Sequence, residues 1–229
     1  MLDKNRITDL EEATELEEGY YIMLDSPTLG TRIFDVNNLK PDNDLYRWDF
    51  TKSLIDEKQG KEATLLGSAT RGSEGVTISD KTGVIDFLGN DSVSLANGIC
   101  IEFNFKEITI SYSSSSQSSS YVWGDGSNND GYYFHNNGNL WKMYFSRSQR
   151  SSSISWSEEQ NKNAFTNGGI IKFEIKNQVA NVYYNDNLIQ SFDNYTMSTL
   201  WGRIGKQYGP KSAHVMTIKS IRIYENEEV

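Results

Sequence analysis

The residues best suited to chemistry lie in positions 121–141, Y-V-W-G-D-G-S-N-N-D-G-Y-Y-F-H-N-N-G-N-L-W. Trp123, Tyr132, Tyr133 and Trp141 are rings on which the apolar face of a sugar can stack. Asp125, Asn128 and Asn129 can take its hydroxyls. Gly124-Asp125-Gly126 and Asn129-Asp130-Gly131 are turn signals, which put the polar groups at strand ends. Core packing of the rings and ordinary turn chemistry account for the same residues one by one, so both readings stand at this point. Asp125, Asn128 and Asp130 are also hard oxygen donors of the kind calcium takes, although their spacing matches no EF-hand loop. Trp156, and Trp201 with Tyr208-Gly209-Pro210, are further aromatics that suit a surface or a subunit contact.

Catalytic patterns are missing. Glu102 stands alone in its apolar run, Glu174 is flanked by Lys172 and Lys176, and Glu158-Glu159 lies in a polar stretch; all read as solvated charges. His135 and His214 are far apart, with no paired cysteine or acid motif. Cys100 is the one cysteine, set between Ile99 and Ile101; it reads as a small buried hydrophobe, and no intrachain disulfide can form. No residue is assigned a catalytic role, and the chain is expected not to be an enzyme.

Composition narrows the partners. The chain has 229 residues, of which 37% are hydrophobic and 12% aromatic, enough for a substantial core. Residues 1–44 hold eleven Asp/Glu and four Lys/Arg, whereas the remainder holds twenty and eighteen. An acidic head and a near-neutral body offer no basic patch for a phosphate backbone, so nucleic-acid binding is not expected. No stretch is long and apolar enough to insert in a membrane. The first eighteen residues, MLDKNRITDLEEATELEE, have no apolar signal core, so release by lysis or on a particle is expected rather than export.

The elements that must position these residues read as strands. In residues 168–192, Ile171, Phe173 and Ile175 alternate with Lys172, Glu174 and Lys176, the period of a half-buried strand. Asn177-Gln178 breaks the run, residues 179–184 form a second, Asn185-Asp186-Asn187 is a turn, and residues 188–192 start a third. This meander is expected at the middle of a β-sandwich. Further strands are expected over residues 45–50, 76–79, 84–88, 98–105, 108–112, 121–123, 131–135, 140–146, 201–205 and 215–224, the last with a bend near Ser220. The serine-rich segment 113–120 reads as a loop, and a second serine cluster with Arg147 and Arg150 covers 146–157. Ahead of the body, residues 20–25 and 31–36 read as two strands, and residues 37–44 as a polar linker. The division is therefore 1–44 and 45–229, an all-β antiparallel sandwich preceded by a short segment too small to bury a core of its own.

Two resemblances add to this. The layout I-T-D-L-x-x-A-T-x-L-x-x-G-Y-Y-I-x-L-D … G-T-R-I-F-D-V-x-N-L, over residues 7–39, is similar to N-terminal segments of tailed-bacteriophage structural proteins, with Glu12 where a proline is usual. It implies a virion attachment segment anchored through Ile7, Leu10, Leu16, Tyr21, Ile33 and Val36, with other virion proteins as partners. It also implies a homo-oligomer, commonly a trimer, assembled in the host cytoplasm and released by lysis.

The body opens with L-Y-R-W-D-F, continues through G-V-T-I-S-D-K-T-G-V-I-D-F, I-C-I-E-F-N-F and I-K-F-E-I-K-N-Q-V-A-N-V-Y-Y-N-D-N-L-I-Q-S-F, and closes with W-G-R-I-G … M-T-I-K-S-I-R-I-Y. It resembles the concanavalin-A-like lectin/glucanase superfamily, the laminin-G-type jelly roll, with Asn187 where the hairpin often has glycine. That resemblance implies a jelly-roll sandwich, and many of its members hold calcium near the ligand rim. The E-x-D-x-x-E string of its glucanases is not present. Together these expectations describe a fibre or decoration appendage whose lectin-like body binds bacterial surface polysaccharide. A purely structural decoration protein and a glycan-cleaving hydrolase are the alternatives.

Overall fold

A computed structural model of the chain describes residues 21–26, 30–35, 43–80, 82–111, 118–124, 131–136, 141–144, 154–156, 167–192, 199–205, 207–208 and 213–226. Every regular element among them is a strand. The chain divides into two units, Met1–Asn43 and Asp44–Val229. In the first, β1 (Tyr21–Ser26) and β2 (Gly30–Asp35) pair antiparallel, with Met23 opposite Ile33. Ile7, Leu10, Leu16 and Val36 lie outside the described residues.

Among the described residues the second unit carries sixteen strands. They are β3 (Asp44–Asp49), β4 (Thr64–Leu66), β5 (Ala69–Gly72), β6 (Gly75–Ile78), β7 (Val84–Asp86), β8 (Ile99–Ser111), β9 (Ser118–Gly124) and β10 (Gly131–Asn136), followed by β11 (Trp141–Tyr144), β12 (Ile154–Trp156), β13 (Gly169–Lys176), β14 (Val179–Tyr184), β15 (Asn187–Phe192), β16 (Arg203–Gly205), β17 (Gln207–Tyr208) and β18 (Ala213–Glu225). They form two eight-stranded antiparallel sheets. One runs β12-β11-β10-β9-β16-β7-β4, with β17 also on β9. The other runs β15-β14-β13-β8-β18-β6-β5, with β3 also on β18. The expected all-β sandwich is the fold observed.

The meander is present where its alternation predicts it. Ile171, Phe173 and Ile175 are buried, and Lys172, Glu174 and Lys176 are only partly covered. Its two turns are two-residue hairpins with both residues at positive φ, Asn177-Gln178 (51° and 64°) and Asn185-Asp186 (46° and 62°). Asn187 thus begins β15 and takes no part in the left-handed turn. The meander is not the middle of its sheet. That place belongs to β8 and β18, paired from Ala213–Ser111 to Glu225–Ile99. β8 was legible only as two runs because its register slips at Lys106, and β18 slips in turn at Lys219, beside the expected bend. At that slip β6 runs very close to β18. A Cβ on Gly75, whose φ is +121°, would meet the Ile218 carbonyl oxygen at 2.2 Å.

The serine-rich segments contribute strand: Ser118–Ser120 open β9, and β12 lies inside the second cluster. The short strands β4 and β5 had no clear alternation to announce them.

The core is a cluster of aromatic rings drawn from both sides of the sandwich. Trp48 meets Phe87 with ring centroids 5.6 Å apart, Phe87 meets Phe103 at 6.3 Å, and Phe103 meets Trp123 at 5.8 Å. Trp123 then meets Phe173 at 4.7 Å and Trp201 at 4.9 Å, and Phe173 meets Tyr132 at 4.8 Å. Each such contact contributes about 0.5–1.5 kcal/mol beyond the area it buries. Trp123 and Tyr132 are both 0% exposed, and the indole Nε1 of Trp123 donates to the Trp201 carbonyl at 2.8 Å. Both were singled out as sugar-stacking rings. They offer no free face, because the inner surface of the sandwich takes them first.

Two predictions follow from this burial. Trp123→Ala removes a ring that touches both sheets, and should lower unfolding stability by about 3–5 kcal/mol in a urea titration. An unchanged midpoint would mean the ring is not core. The second concerns alkaline pH. Burial pushes the Cys100 thiol up to about 11, burial raises Tyr132, and burial with the hydrogen bond to Glu102 raises Tyr224. In all three the fold favours the neutral form. For the thiol this stabilisation is complete below its ordinary value of 9.0 and is lost as pH rises through about 11; for the two tyrosines the loss begins only above their ordinary value of 10.0. The urea midpoint should hold at neutral pH and fall above pH 9; a midpoint that rises there would contradict the assignment.

Candidate functional site

Of the residues expected to hold a ligand, Asp125, Asn128, Asn129 and the third calcium donor Asp130 lie outside the described residues. Tyr133 is the fourth strand residue from the end of β10, opposite Tyr144 and Tyr121, and Trp141 begins β11 opposite Asn136 and Trp156. No cluster of three or more His, Cys, Asp or Glu suited to a metal occurs among the described residues.

The side chains that do converge lie elsewhere, on the outer face of the sheet holding β3, β18, β8 and β13. Alternation along these strands sends Trp48, Ile101, Phe103, Phe173, Ile221 and Ile223 inward and leaves their polar neighbours outside. Register then sets those neighbours in rows. Arg222 lies opposite Arg47 and Glu102, and Glu102 lies opposite Lys172, which faces Tyr183. One step along, Ser220 lies opposite Asp49 and Asn104, and Asn104 opposite Ile170.

Electrostatics hold the first row rigid. Asp44 is fully covered at its side chain and receives Arg222 Nε at 2.5 Å and the Arg47 guanidinium. The sequence had left Asp44 at the end of the linker; it is in fact the first residue of β3 and joins that strand to β18. Arg222 lies 4.3 Å over the Tyr224 ring, and the Tyr224 hydroxyl donates to Glu102 at 2.7 Å. A matching set lies two strands away, where Lys172 sits 4.5 Å over Tyr183. The Tyr183 hydroxyl donates to Glu174 at 2.8 Å, and Asn226 Nδ2 donates to the same carboxylate at 2.7 Å. Glu102 and Glu174 are therefore not the freely solvated charges expected of them. Each is fixed by a tyrosine.

Beside these rows opens a cleft of about 480 Å³, bordered by Arg47, Asp49, Glu102, Asn104, Ser220 and Arg222, with the turn after β3 along one side. That turn is built by its own polar groups. Asp49 accepts from the Thr51 amide and hydroxyl and from Lys52 Nζ at 2.7 Å, and the Lys52 hydrogen bond, with Thr51, holds its carboxyl below the usual range. Asp56, 2% exposed, accepts from the backbone amides of Arg47 and Gln59 and pins the next loop to β3. The Trp48 indole reaches the same loop, donating to the Lys61 carbonyl at 3.1 Å.

The arrangement can bind a polar ligand, with donors and acceptors fixed before it arrives. Nothing in the linear sequence singled out Asn104, Ser220 or Arg222. Each is an ordinary polar residue in an alternating strand, and only the β8–β18 register brings them together.

No protein-family model matches the chain, and no curated protein matches its sequence. Solved structures do match in fold. The chain is similar to the binding domain of botulinum neurotoxin DC in complex with SialylT, with 14% identity, a TM-score of 0.57, and 81% of this chain and 49% of that one covered. It is similar to the binding domain of botulinum neurotoxin serotype D at 13% identity and a TM-score of 0.56, covering 82% and 49%. It is also similar to the metal-free carbohydrate recognition domain of Emp46p at 12% identity and a TM-score of 0.50, covering 79% and 99%. The chain spans about half the length of the neurotoxin binding domains it matches. What these likenesses share with the chain is the fold, an antiparallel β-sandwich.

Proposed function

We propose that this protein binds carbohydrate without cleaving it, as an appendage of a bacteriophage virion. In this reading the sandwich faces outward and meets bacterial surface polysaccharide. Residues 1–44 attach it to other virion proteins. The cleft on the outer face of β3, β18 and β8 is the observation that carries the binding: it is open, and charged and polar side chains that are already held in place border it. The fold supports the same reading, since one similar structure is a carbohydrate recognition domain. In this reading Asp125, Asn128, Asn129, Tyr133 and Trp141 add further contacts to the sugar, with calcium at Asp125, Asn128 and Asp130 where it is bound. The attachment role rests on the pattern of residues 7–39, and the small β1–β2 hairpin suits a segment completed by a partner surface. A trimer would multiply weak sugar sites through avidity.

Cleavage is the less fitting alternative. Glycoside hydrolysis needs one carboxyl that gives a proton and another across the bond. Asp49 is held as a carboxylate by Lys52 and Thr51, and Glu102 already accepts from Tyr224. Glu174 lies outside the cleft border.

The test is a binding assay of the full chain on an array of bacterial polysaccharides, with and without calcium, together with particle incorporation of a chain lacking residues 1–39. Dose-dependent binding without release of shortened sugars is expected, as is loss of incorporation. Sugar release would favour the hydrolase. Absence of binding by oligomeric protein would favour a purely structural decoration protein, and particles that still carry the shortened chain would overturn the attachment role.

A further inference from the structure

The groups that border the cleft bear on the kind of sugar it would take. Four cations, Arg47, Lys52, Lys219 and Arg222, border it. Asp49, Glu57 and Glu102 border it as well, and Asp44 is held between the two arginines. The formal charges cancel. Three of the four cations are already engaged, Arg47 and Arg222 with Asp44 and Lys52 with Asp49, while Glu102 accepts from the Tyr224 hydroxyl. Beyond Lys219, recruiting a uronate or phosphate would require the breaking of one of these pairs.

Two polar side chains at the cleft are not engaged in this way. The Asn104 amide and the Ser220 hydroxyl sit on directly opposed positions of β8 and β18, and neither makes a side-chain hydrogen bond among the described residues. Both are neutral, and between them they offer donors and acceptors at one spot. Ile170, 39% exposed, lies opposite Asn104 on the next strand and forms an apolar ledge. Neutral donors and acceptors beside an apolar ledge match the hydroxyl edge and C–H face of an uncharged sugar ring.

We propose that the cleft between β3, β18 and β8 takes a segment of uncharged, hydroxyl-rich polysaccharide, with Asn104 and Ser220 orienting it through hydrogen bonds and Ile170 packing against a ring face. This rests on the carbohydrate-binding reading. It adds the place, away from the 121–141 segment, and the class of sugar. Recognition is then by hydrogen bonds and contact, so it should respond little to salt.

The experiment uses the full chain against purified bacterial polysaccharides sorted into uncharged members and members bearing uronate or phosphate, at low and high salt. Wild type should be retained by uncharged members at both salt concentrations. The double variant Asn104→Ala/Ser220→Ala should bind about tenfold or more weakly, with an unchanged urea midpoint because both positions face outward. Ser220→Tyr, which fills the cleft, should abolish binding. Should the double variant fail to fold, Ser220→Tyr and Ile170→Ser carry the test. Wild-type affinity in the variants would overturn the cleft as the site and leave carbohydrate binding standing. Retention by charged members alone, abolished by salt, would overturn the sugar class. A wild-type chain that binds no polysaccharide would overturn both this proposal and the reading beneath it.

Discussion

The sandwich depends on the alternate interlocking of aromatic rings between its sheets. Trp48, Phe103 and Phe173 come from one sheet; Trp123 and Tyr132 come from the other, Phe87 lies just past its strand β7, and each ring meets rings of the opposite set. Nothing covalent joins the sheets, since the single cysteine is free. The separation and register of the sheets are therefore set by how large, stiff rings fit together. The outer face inherits that register. Arg47, Glu102 and Arg222 share a row because Trp48, Ile101 and Ile221 are locked one residue away.

This dependence explains what could be read in the linear sequence and what could not. The β13–β15 meander was legible because its signals are local: strict alternation and two-residue turns of Asn, Gln and Asp. The fold class followed from many such runs in order. Trp123 was misread because its neighbours Val122 and Gly124 are buried with it, so no alternation marks which face the ring takes. With Asp-Gly turns beside it, a core tryptophan and a sugar platform look the same. The cleft was invisible for a different reason. Asn104 and Ser220 are joined by pairing across most of the body, and each is unremarkable in its own strand.

Asp44 shows how little separates a linker from a core element in such a chain. It follows a run of polar residues and carries a charge, so local composition assigns it to solvent. Its carboxylate is nonetheless the joint between the opening strand and the closing one, with a guanidinium from each. The same joint keeps the arginines from acting as free cations at the cleft, and so ties the neutrality of that surface to the closure of the sheet.

The position of β18 has a consequence for how the protein is made. β18 is the shared neighbour of β3, β6 and β8, yet it leaves the ribosome after all of them. The half-sheet β8-β13-β14-β15 can assemble during synthesis from strands already present. β3 and β6 cannot take their final places until β18 arrives, and must wait with backbone groups unpaired. Until then the nascent chain is open to intermolecular strand pairing at those edges.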